Sequence, residues 1–206
     1  MTNTHFDILF KKVLKESIDE LQLFHGSQAD FDKFDVAYMS SGWGQQAYGY
    51  GFYVAAQKDT AIQYGRGGIV YTVEIPSDGL YLSNKSISKR EALGVARKFF
   101  KYYTTEDEYG KEAYAGHENE FWDEECRYVA DCSDGESLYG TIASIIGSDR
   151  QTSKWLNKIG YTGIMLYYKS GDGKPLLNYV IFNPTDIKII SKERINNANT
   201  ATEEIR

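Results

Sequence analysis

Hydrophobic and polar positions follow two different periods along this chain. Apolar residues recur every three to four positions over residues 5–22, which predicts an amphipathic N-terminal helix packed on the body of the fold. Short runs rich in aromatic and β-branched residues predict strands, both early and late in the chain. These strand patterns cover residues 52–55, 69–75, 80–82, 163–168, 178–182 and 187–190.

The middle of the chain, from about residue 85 to residue 156, is charged, helix-prone and poor in strand signals. Ser88 and Glu91 form a capping-box pattern that predicts a helix over residues 91–103. Further helices are predicted over residues 120–130, 135–146 and 149–159. The strands therefore flank a helical insertion instead of alternating with helices. This order predicts an α+β fold with mainly antiparallel sheet and argues against a doubly wound parallel sheet.

Length and composition are consistent with one folded domain. The chain has 206 residues and a hydrophobic content of 42%, enough for one sizeable core. We predict a single domain over residues 1–192 and a flexible polar tail over residues 193–206. The chain contains 17 tyrosines, whose rings stack and whose hydroxyls bond as a binding site requires, although half-buried strand positions account for most of them.

Charge and cysteine content exclude several classes of function. The net charge is −6 and no basic stripe is visible, so strong binding to a nucleic-acid backbone is not expected, while catalytic contact with a nucleic acid remains open. The absence of a signal region and of a membrane-length apolar run predicts a cytoplasmic protein with no membrane partner. Cys126 and Cys132 match no zinc pattern and favour two free thiols in a reducing compartment.

Candidate chemistry concentrates between residues 23 and 64. A short apolar run leads into His25-Gly26-Ser27, and Gly49-Tyr50-Gly51 leads into the strand that contains Tyr53. Residues 58–64 predict a short helix that carries Tyr64 at its end. A histidine, backbone glycines and two tyrosines at strand ends suit a pocket for a flat polar heterocycle. The glycines match neither the dinucleotide fingerprint nor a phosphate-binding loop.

In this order, these residues resemble the motifs of ADP-ribosyltransferases of the diphtheria-toxin-like and poly(ADP-ribose)-polymerase branch, whose motif residues are His, Tyr and Glu. The segments similar to the three motifs are residues 24–27, residues 49–55 and residues 178–182. Tyr64 follows Tyr53 by eleven residues, as a second pocket tyrosine does in that branch. The fuller pattern is most like bacterial and phage members, including the transferase domains of large polyvalent proteins, and extends over roughly residues 21–82 and 148–190.

The resemblance implies two small antiparallel sheets around an NAD cleft, and it implies roles for the residues of that cleft. His25 would bind a ribose hydroxyl, and Gly26 would offer its N–H and C=O to the nicotinamide carboxamide. Tyr53 and Tyr64 would hold the nicotinamide ring between them. Gly51 would permit a close approach of the backbone.

Three further positions follow from the same resemblance. Ser27 would support a ribose hydroxyl or cap the following turn. Asn178 stands where the family's active members carry glutamate, so its amide oxygen would accept a bond from the ribose 2′-hydroxyl without supplying a charge. Ala61 stands where the polymerase branch has a serine that binds nicotinamide. Tyr53 and Asn178 are the two candidate catalytic residues. Candidate acids elsewhere are Glu74, Asp172 and Asp186.

The implied activity is mono-ADP-ribosyl transfer from NAD to a macromolecular target, with release of nicotinamide. NAD is then a substrate, no metal is required, and the lack of basic patches favours a protein acceptor over a nucleic acid. The resemblance suggests a bacterial or phage effector. Asn178 leaves two alternatives open, which are hydrolysis of NAD by water and a non-catalytic module that binds NAD or a partner.

Overall fold

Seven strands in the described part of the chain form one hydrogen-bonded sheet. The structure is a computed structural model, and it describes residues 20–39, 47–169, 173 and 175–195. The strands are β1 (Glu20–Ser27), β2 (Phe52–Ala55), β3 (Ile69–Pro76), β4 (Leu80–Ser83), β5 (Tyr161–Lys169), β6 (Pro175–Ile181) and β7 (Lys188–Arg194). Their order across the sheet is β4-β5-β6-β2-β1-β3-β7. Neighbouring strands are antiparallel except β4 and β5, which are parallel.

Most helices lie between β4 and β5, where the helical insertion is predicted. The helices are α1 (Lys58–Gly65), α2 (Lys89–Thr105), α3 (Glu108–Ala113), α4 (Glu118–Phe121), α5 (Arg127–Asp131), α6 (Gly135–Ile146) and α7 (Asp149–Lys158). A π-helical turn over Trp122–Cys126 joins α4 to α5. Ser88, Asp134 and Ser148 cap α2, α6 and α7 by accepting a backbone N–H three residues later. Within the described ranges, none of the helices is both long and apolar enough to cross a membrane.

The predicted α+β class is confirmed, whereas two separate sheets are not seen. The hydrogen-bonded ladder continues across all seven strands, but β1 and β2 are joined at a single residue pair, Phe24 with Ala55. By comparison, β1 pairs with β3 over eight residues, from Glu20 to Ser27. We call this narrow junction between β1 and β2 the seam. It divides the sheet into one group of β1, β3 and β7 and another of β2, β6, β5 and β4.

Apolar side chains pack on both faces of the sheet. Alternate residues of a strand point to opposite faces, so Val180 of β6 faces one core while Tyr179 and Ile181 face the other. The helix-side core lies between the sheet and the helical insertion and includes Leu82, Phe99, Phe121, Leu138, Ile164 and Val180. The strand-side core includes Leu23, Phe34, Val54, Tyr71, Tyr179 and Ile181. The two sheet groups are therefore held together by packing as well as by the seam.

Two predicted segments contain residues that form a strand instead of the structure expected there. The last residues of the helix predicted over 5–22, from residue 20 onward, belong to strand β1, and the rest of that prediction lies outside the described residues. The pairing of β1 with β3 explains the strand, because Leu21 and Leu23 lie opposite Ile75 and Val73. The predicted domain boundary at 192/193 falls inside β7, which continues to Arg194 opposite Ile69. Residues 196–206 lie outside the described part of the chain.

Candidate active site at the seam of the sheet

His25 connects the two strands of the seam. Its Nδ1 atom lies 2.8 Å from the backbone carbonyl oxygen of Tyr53 in β2. A carbonyl oxygen only accepts hydrogen bonds, so Nδ1 carries the hydrogen and donates it. Burial lowers the pKa of His25, against the smaller opposite effect of this bond, and the ring is therefore neutral near pH 7. Its Nε2 is then an acceptor, which is the state that a contact with a ribose hydroxyl requires.

Aromatic rings surround the imidazole of His25. Phe34 meets it edge-on with ring centroids 5.0 Å apart, and Phe31 and Tyr71 lie at 6.1 and 6.2 Å. Phe31 in turn stacks on Tyr71 at 4.3 Å, and its backbone N–H donates to the Tyr71 hydroxyl. The Tyr71 hydroxyl donates to the carbonyl oxygen of Ala29. These contacts with Tyr71 hold residues 29–31 next to the imidazole ring.

Gly26 allows helix α1 to pack directly on β1. A Cβ atom at this position would lie 1.8 Å from the carbonyl oxygen of Ala61 and 2.6 Å from the backbone nitrogen of Gly65. No side chain fits there without separating the helix from the strand. The glycine is therefore explained by packing, independently of any ligand.

The peptide groups of Gly26 point toward the seam. Ala56 N–H donates to the carbonyl of Leu177, so by alternation the peptide groups of Ala55 face away from β6 and toward β1. Ala55 is paired with Phe24, and the groups of Gly26, two residues later, face the same way. No strand pairing reaches β2 at that point among the described residues. The N–H and C=O of Gly26 therefore face the gap beside the seam, and their contact with a carboxamide stays a prediction.

Tyr53 uses its hydroxyl to hold the turn that precedes β2. The hydroxyl donates to the carbonyl oxygen of Gly49 at 2.9 Å and accepts from the N–H of Tyr48 at 3.1 Å. Burial raises the pKa of Tyr53, which therefore stays protonated. Gly51 lies in the same turn, where a Cβ would be 2.6 Å from the carbonyl oxygen of Ile181. Packing on strand β6 therefore accounts for this glycine, and the NAD contact implied for Gly51 stays a prediction.

Two other predicted residues occupy more exposed positions. Tyr64 lies in the last turn of α1, and 60% of its surface is exposed. Within the described residues, its ring makes no contact with that of Tyr53. The Ser27 hydroxyl accepts from the N–H of Ala29 at 3.1 Å, which is the turn-capping alternative. The ring of Tyr64 thus does not form a preformed nicotinamide sandwich with that of Tyr53, and the ribose contact of Ser27 stays a prediction.

Asn178 has a polar atom without a protein partner. It lies in β6 between Ala55 of β2 and Leu166 of β5, on the helix-side face of the sheet. Tyr53 lies opposite Val180, so the two candidate catalytic residues share that face on adjacent strands. The Oδ1 atom of Asn178 is buried, and it accepts no hydrogen bond from the described residues. A buried acceptor without a donor is the observation that a hydroxyl-bearing ligand would explain.

Most of the chain matches the sequence profile of one protein family. The sequence profile of ADP-ribosyltransferases in polyvalent proteins matches residues 19–197. The chain belongs to this family of ADP-ribosyltransferases. The match includes the helical insertion, which the motif resemblance alone does not explain. No protein with a curated description matches the chain significantly.

Of the acids predicted as candidates, the two that the structure describes lie away from the seam of this ADP-ribosyltransferase. Glu74 is ion-paired with Lys188 at 2.9 Å on the outer strands β3 and β7. Asp186 lies in a 3₁₀ turn after β6, where burial raises its carboxyl pKa. Asp172 lies outside the described residues. Among the described residues, no group of His, Cys, Asp or Glu is arranged to hold a metal ion, and both cysteines are free.

A cavity of about 540 Å³ lies beside the site on the helical side. It begins at Tyr48 and Gly49, which bond the Tyr53 hydroxyl, and it is also lined by Glu136 and Asp149 at the starts of α6 and α7. None of the residues predicted to contact NAD lines it. The second motif includes the segment around Gly49, but no motif includes Glu136, because only the fold brings α6 beside that segment.

Proposed function

We propose that this ADP-ribosyltransferase transfers one ADP-ribose unit from NAD to a macromolecular acceptor and releases nicotinamide. The observation that supports this most directly is the unpartnered Oδ1 of Asn178, at the motif position and on the face shared with Tyr53. Across the seam, the peptide groups of Gly26 would bind a carboxamide. The His25 ring packs against Phe34 of the strand-side core, and its Nε2 would accept from a ribose hydroxyl on that side. A protein acceptor fits the net charge of −6 better than a nucleic acid does.

In the reaction, the bond between the ribose carbon and the nicotinamide nitrogen breaks. Nicotinamide leaves with the bonding electron pair, positive charge develops on the ribose, and the acceptor forms the new bond and loses its proton. Gly26 would hold the carboxamide of the leaving ring. His25 and Asn178 would orient the ribose by accepting from its hydroxyls, and the bond to Asn178 would strengthen as the hydroxyl becomes more acidic next to the developing charge.

Asn178 also supports a second candidate function. An amide is neutral and cannot act as a base, and a neutral hydrogen bond is roughly half as strong as a charge-assisted one. A module that binds NAD or a partner without turning NAD over is the function that this residue would favour. Hydrolysis of NAD is the remaining alternative, in which NAD is turned over but water replaces the macromolecular acceptor.

Nicotinamide release separates these functions. The protein is incubated with NAD labelled in the adenine moiety, with and without a cell extract, and both free nicotinamide and label in macromolecules are measured. Transfer predicts extract-dependent release together with labelled macromolecules. Hydrolysis predicts equal release in both samples, and a binding module predicts release in neither, so either of these results contradicts the transferase.

Replacing Tyr64 tests where the nicotinamide ring binds. Tyr64→Ala is expected to weaken NAD binding by about 1–3 kcal/mol, because stacking of a base on an aromatic ring contributes this much elsewhere. Isothermal titration calorimetry measures the change. Tyr109→Ala is the matched control, since Tyr109 is 73% exposed on α3 in the helical insertion. Equal affinity of the parent and Tyr64→Ala would place the ring elsewhere.

A further inference from the structure

Two buried polar atoms of the described residues lack a hydrogen-bond partner, and both lie on one face of β5 and β6. They are the hydroxyl of Tyr168 and the Oδ1 of Asn178. The residues themselves keep part of their surface exposed, although these atoms are covered. Neither the motif resemblance nor the proposed function assigns a role to Tyr168.

The strand register places the two side chains next to each other. Leu166 of β5 lies opposite Asn178, and Tyr168 lies opposite Leu176. Tyr168 and Asn178 are therefore diagonal neighbours on the helix-side face, a separation that an aromatic side chain can bridge. The ring of Tyr48, which lines the adjacent cavity, lies 5.3 Å from that of Tyr168. Tyr48 thus connects this pair to the turn before β2, which the Tyr53 hydroxyl holds.

Other tyrosines of this fold show what a buried hydroxyl normally does. Tyr139 donates to the carbonyl of Asp149, Tyr81 donates to that of Pro76, and Tyr161 donates to the carboxylate of Glu91. A buried hydroxyl without such a partner destabilises a protein, whereas phenylalanine fills the same space without that cost. The hydroxyl of Tyr168 has no carbonyl or carboxylate partner of this kind, and its polar neighbour, the hydroxyl of Tyr48, does not meet it in hydrogen-bond geometry.

The two atoms are chemically complementary. Burial raises the pKa of Tyr168, and the neighbouring Tyr48 hydroxyl raises it further, so the Tyr168 hydroxyl remains protonated and can donate. The amide oxygen of Asn178 can only accept. A donor beside an acceptor matches two neighbouring hydroxyls, of which one accepts through its oxygen and the other donates its hydrogen.

We propose that Tyr168 and Asn178 together bind the vicinal diol of the nicotinamide ribose, with Tyr168 donating to one hydroxyl and Asn178 accepting from the other. The inference rests on the proposed function, because it takes NAD as the substrate. A substrate whose nicotinamide lies at the seam would extend its ribose over β6 and reach β5 next. The donor bond from Tyr168 does not strengthen as positive charge develops on the ribose, so it contributes mainly to ground-state binding.

The test is Tyr168→Phe, which removes the hydroxyl alone. NAD affinity measured by calorimetry should fall about three- to tenfold, as expected for the loss of one neutral hydrogen bond. Affinity for nicotinamide alone should not change, because that probe has no ribose. The urea midpoint of unfolding without ligand should stay the same or rise, because an unpartnered buried group is removed.

Tyr161→Phe is the matched control on the same strand. Its hydroxyl donates to Glu91 at 2.9 Å, so its loss should lower the urea midpoint and leave NAD affinity unchanged. If the parent binds NAD and Tyr168→Phe binds it equally well, the diol site is overturned while the proposed function stands. If Tyr168→Phe lowers the urea midpoint as Tyr161→Phe does, the hydroxyl has a structural partner and the diol site is likewise overturned. If the parent binds no NAD, the proposed function itself fails.

Discussion

The two sides of the candidate site differ in how completely the protein satisfies its own polar groups. On the β1 side, His25 bonds the Tyr53 carbonyl and is enclosed by Phe31, Phe34 and Tyr71. On the β6 side, the oxygen atoms of Asn178 and Tyr168 are buried without partners. The fold accounts for most of the first side and leaves the second side incomplete. Unsatisfied polar atoms therefore indicate a ligand more strongly here than the histidine motif does.

The difference also suggests a division of labour. The β1 side is held rigidly by packing and hydrogen bonds, which is what the positioning of a leaving ring requires. The β6 side carries groups whose bonds would form only when a substrate supplies hydroxyls. If this contrast is correct, substitutions on the β1 side should mainly lower the free energy of unfolding. Substitutions on the β6 side should mainly change the binding and turnover of NAD.

The largest effect is expected at Gly26. Gly26→Ala would place a Cβ 1.8 Å from the carbonyl oxygen of Ala61, so α1 and β1 must separate. We expect the free energy of unfolding, measured by urea titration, to fall by about 2–3 kcal/mol. Gly94→Ala is the control, since nothing lies within 4 Å of a Cβ at that position in α2. It should raise the free energy of unfolding by about 0.5–1 kcal/mol through helix propensity. Equal stability of Gly26→Ala and the parent would show that α1 does not pack on β1 as described.

Asn178 should give the opposite pattern, with little effect on folding and a larger one on turnover. Asn178→Ala should lower the rate of nicotinamide release about tenfold and change NAD affinity much less, because the proposed bond to the 2′-hydroxyl would matter most as positive charge develops. Asn178→Asp should raise NAD hydrolysis, since a carboxylate stabilises that charge better. Single-turnover kinetics and calorimetry separate the two quantities.

Two other results for the Asn178 variants would contradict the proposed role of the β6 side. A slower Asn178→Asp would mean that another carboxylate already serves the site and is repelled by the new charge. Glu136, at the neighbouring cavity, is the acid to examine in that case. No nicotinamide release from the parent or either variant would leave a site that binds without catalysis.

The smallest expected effect is a pH dependence of stability from His25. Burial holds the pKa of folded His25 below its ordinary value of 6.5, so the unfolded chain takes up the proton first as pH falls. Stability should therefore be complete above pH 6.5 and decrease below it, toward the folded pKa, by at most about 1.4 kcal/mol per pH unit for one proton. His25→Gln should remove that part of the slope between pH 7 and pH 5.5 in urea titrations. His117→Gln controls for the loss of one exposed imidazole. A parent slope of the opposite sign would mean that the folded state favours the protonated ring.

Local patterns predict much of the fold because they depend on local physics. The β-branched and aromatic run over residues 69–75 is β3, in which buried and half-buried positions alternate from Tyr71 onward. The helix predicted over 135–146 is α6 with the same bounds, and the cap expected at Ser88 bonds the N–H of Glu91. These features are determined by neighbours in sequence, so a single sequence is sufficient to predict them.

Features that depend on distant pairing are not predicted by such patterns. The first strand has an apolar pattern that a helix shares, and only its pairing with β3 decides in favour of a strand. The pairing across the seam makes one sheet where the resemblance implies two. The motif identifies Asn178 as a candidate, but its unpartnered oxygen follows from the pairing of β6 with β2 and β5. The same pairing of β5 with β6 places Tyr168 beside it.

The pairing of β2 with β6 also determines at what stage of translation the candidate site can be complete. It joins Phe52 to Ile181 and Ala55 to Asn178, and the whole helical insertion lies between these strands in the sequence. Closing so long a loop is slow compared with forming local structure, and domains emerging from the ribosome fold from the N-terminus onward. A nascent chain that ends within the insertion already contains His25 and Tyr53 but lacks the strand that completes the site. Any activity toward NAD would therefore begin only after β6 has been translated and released.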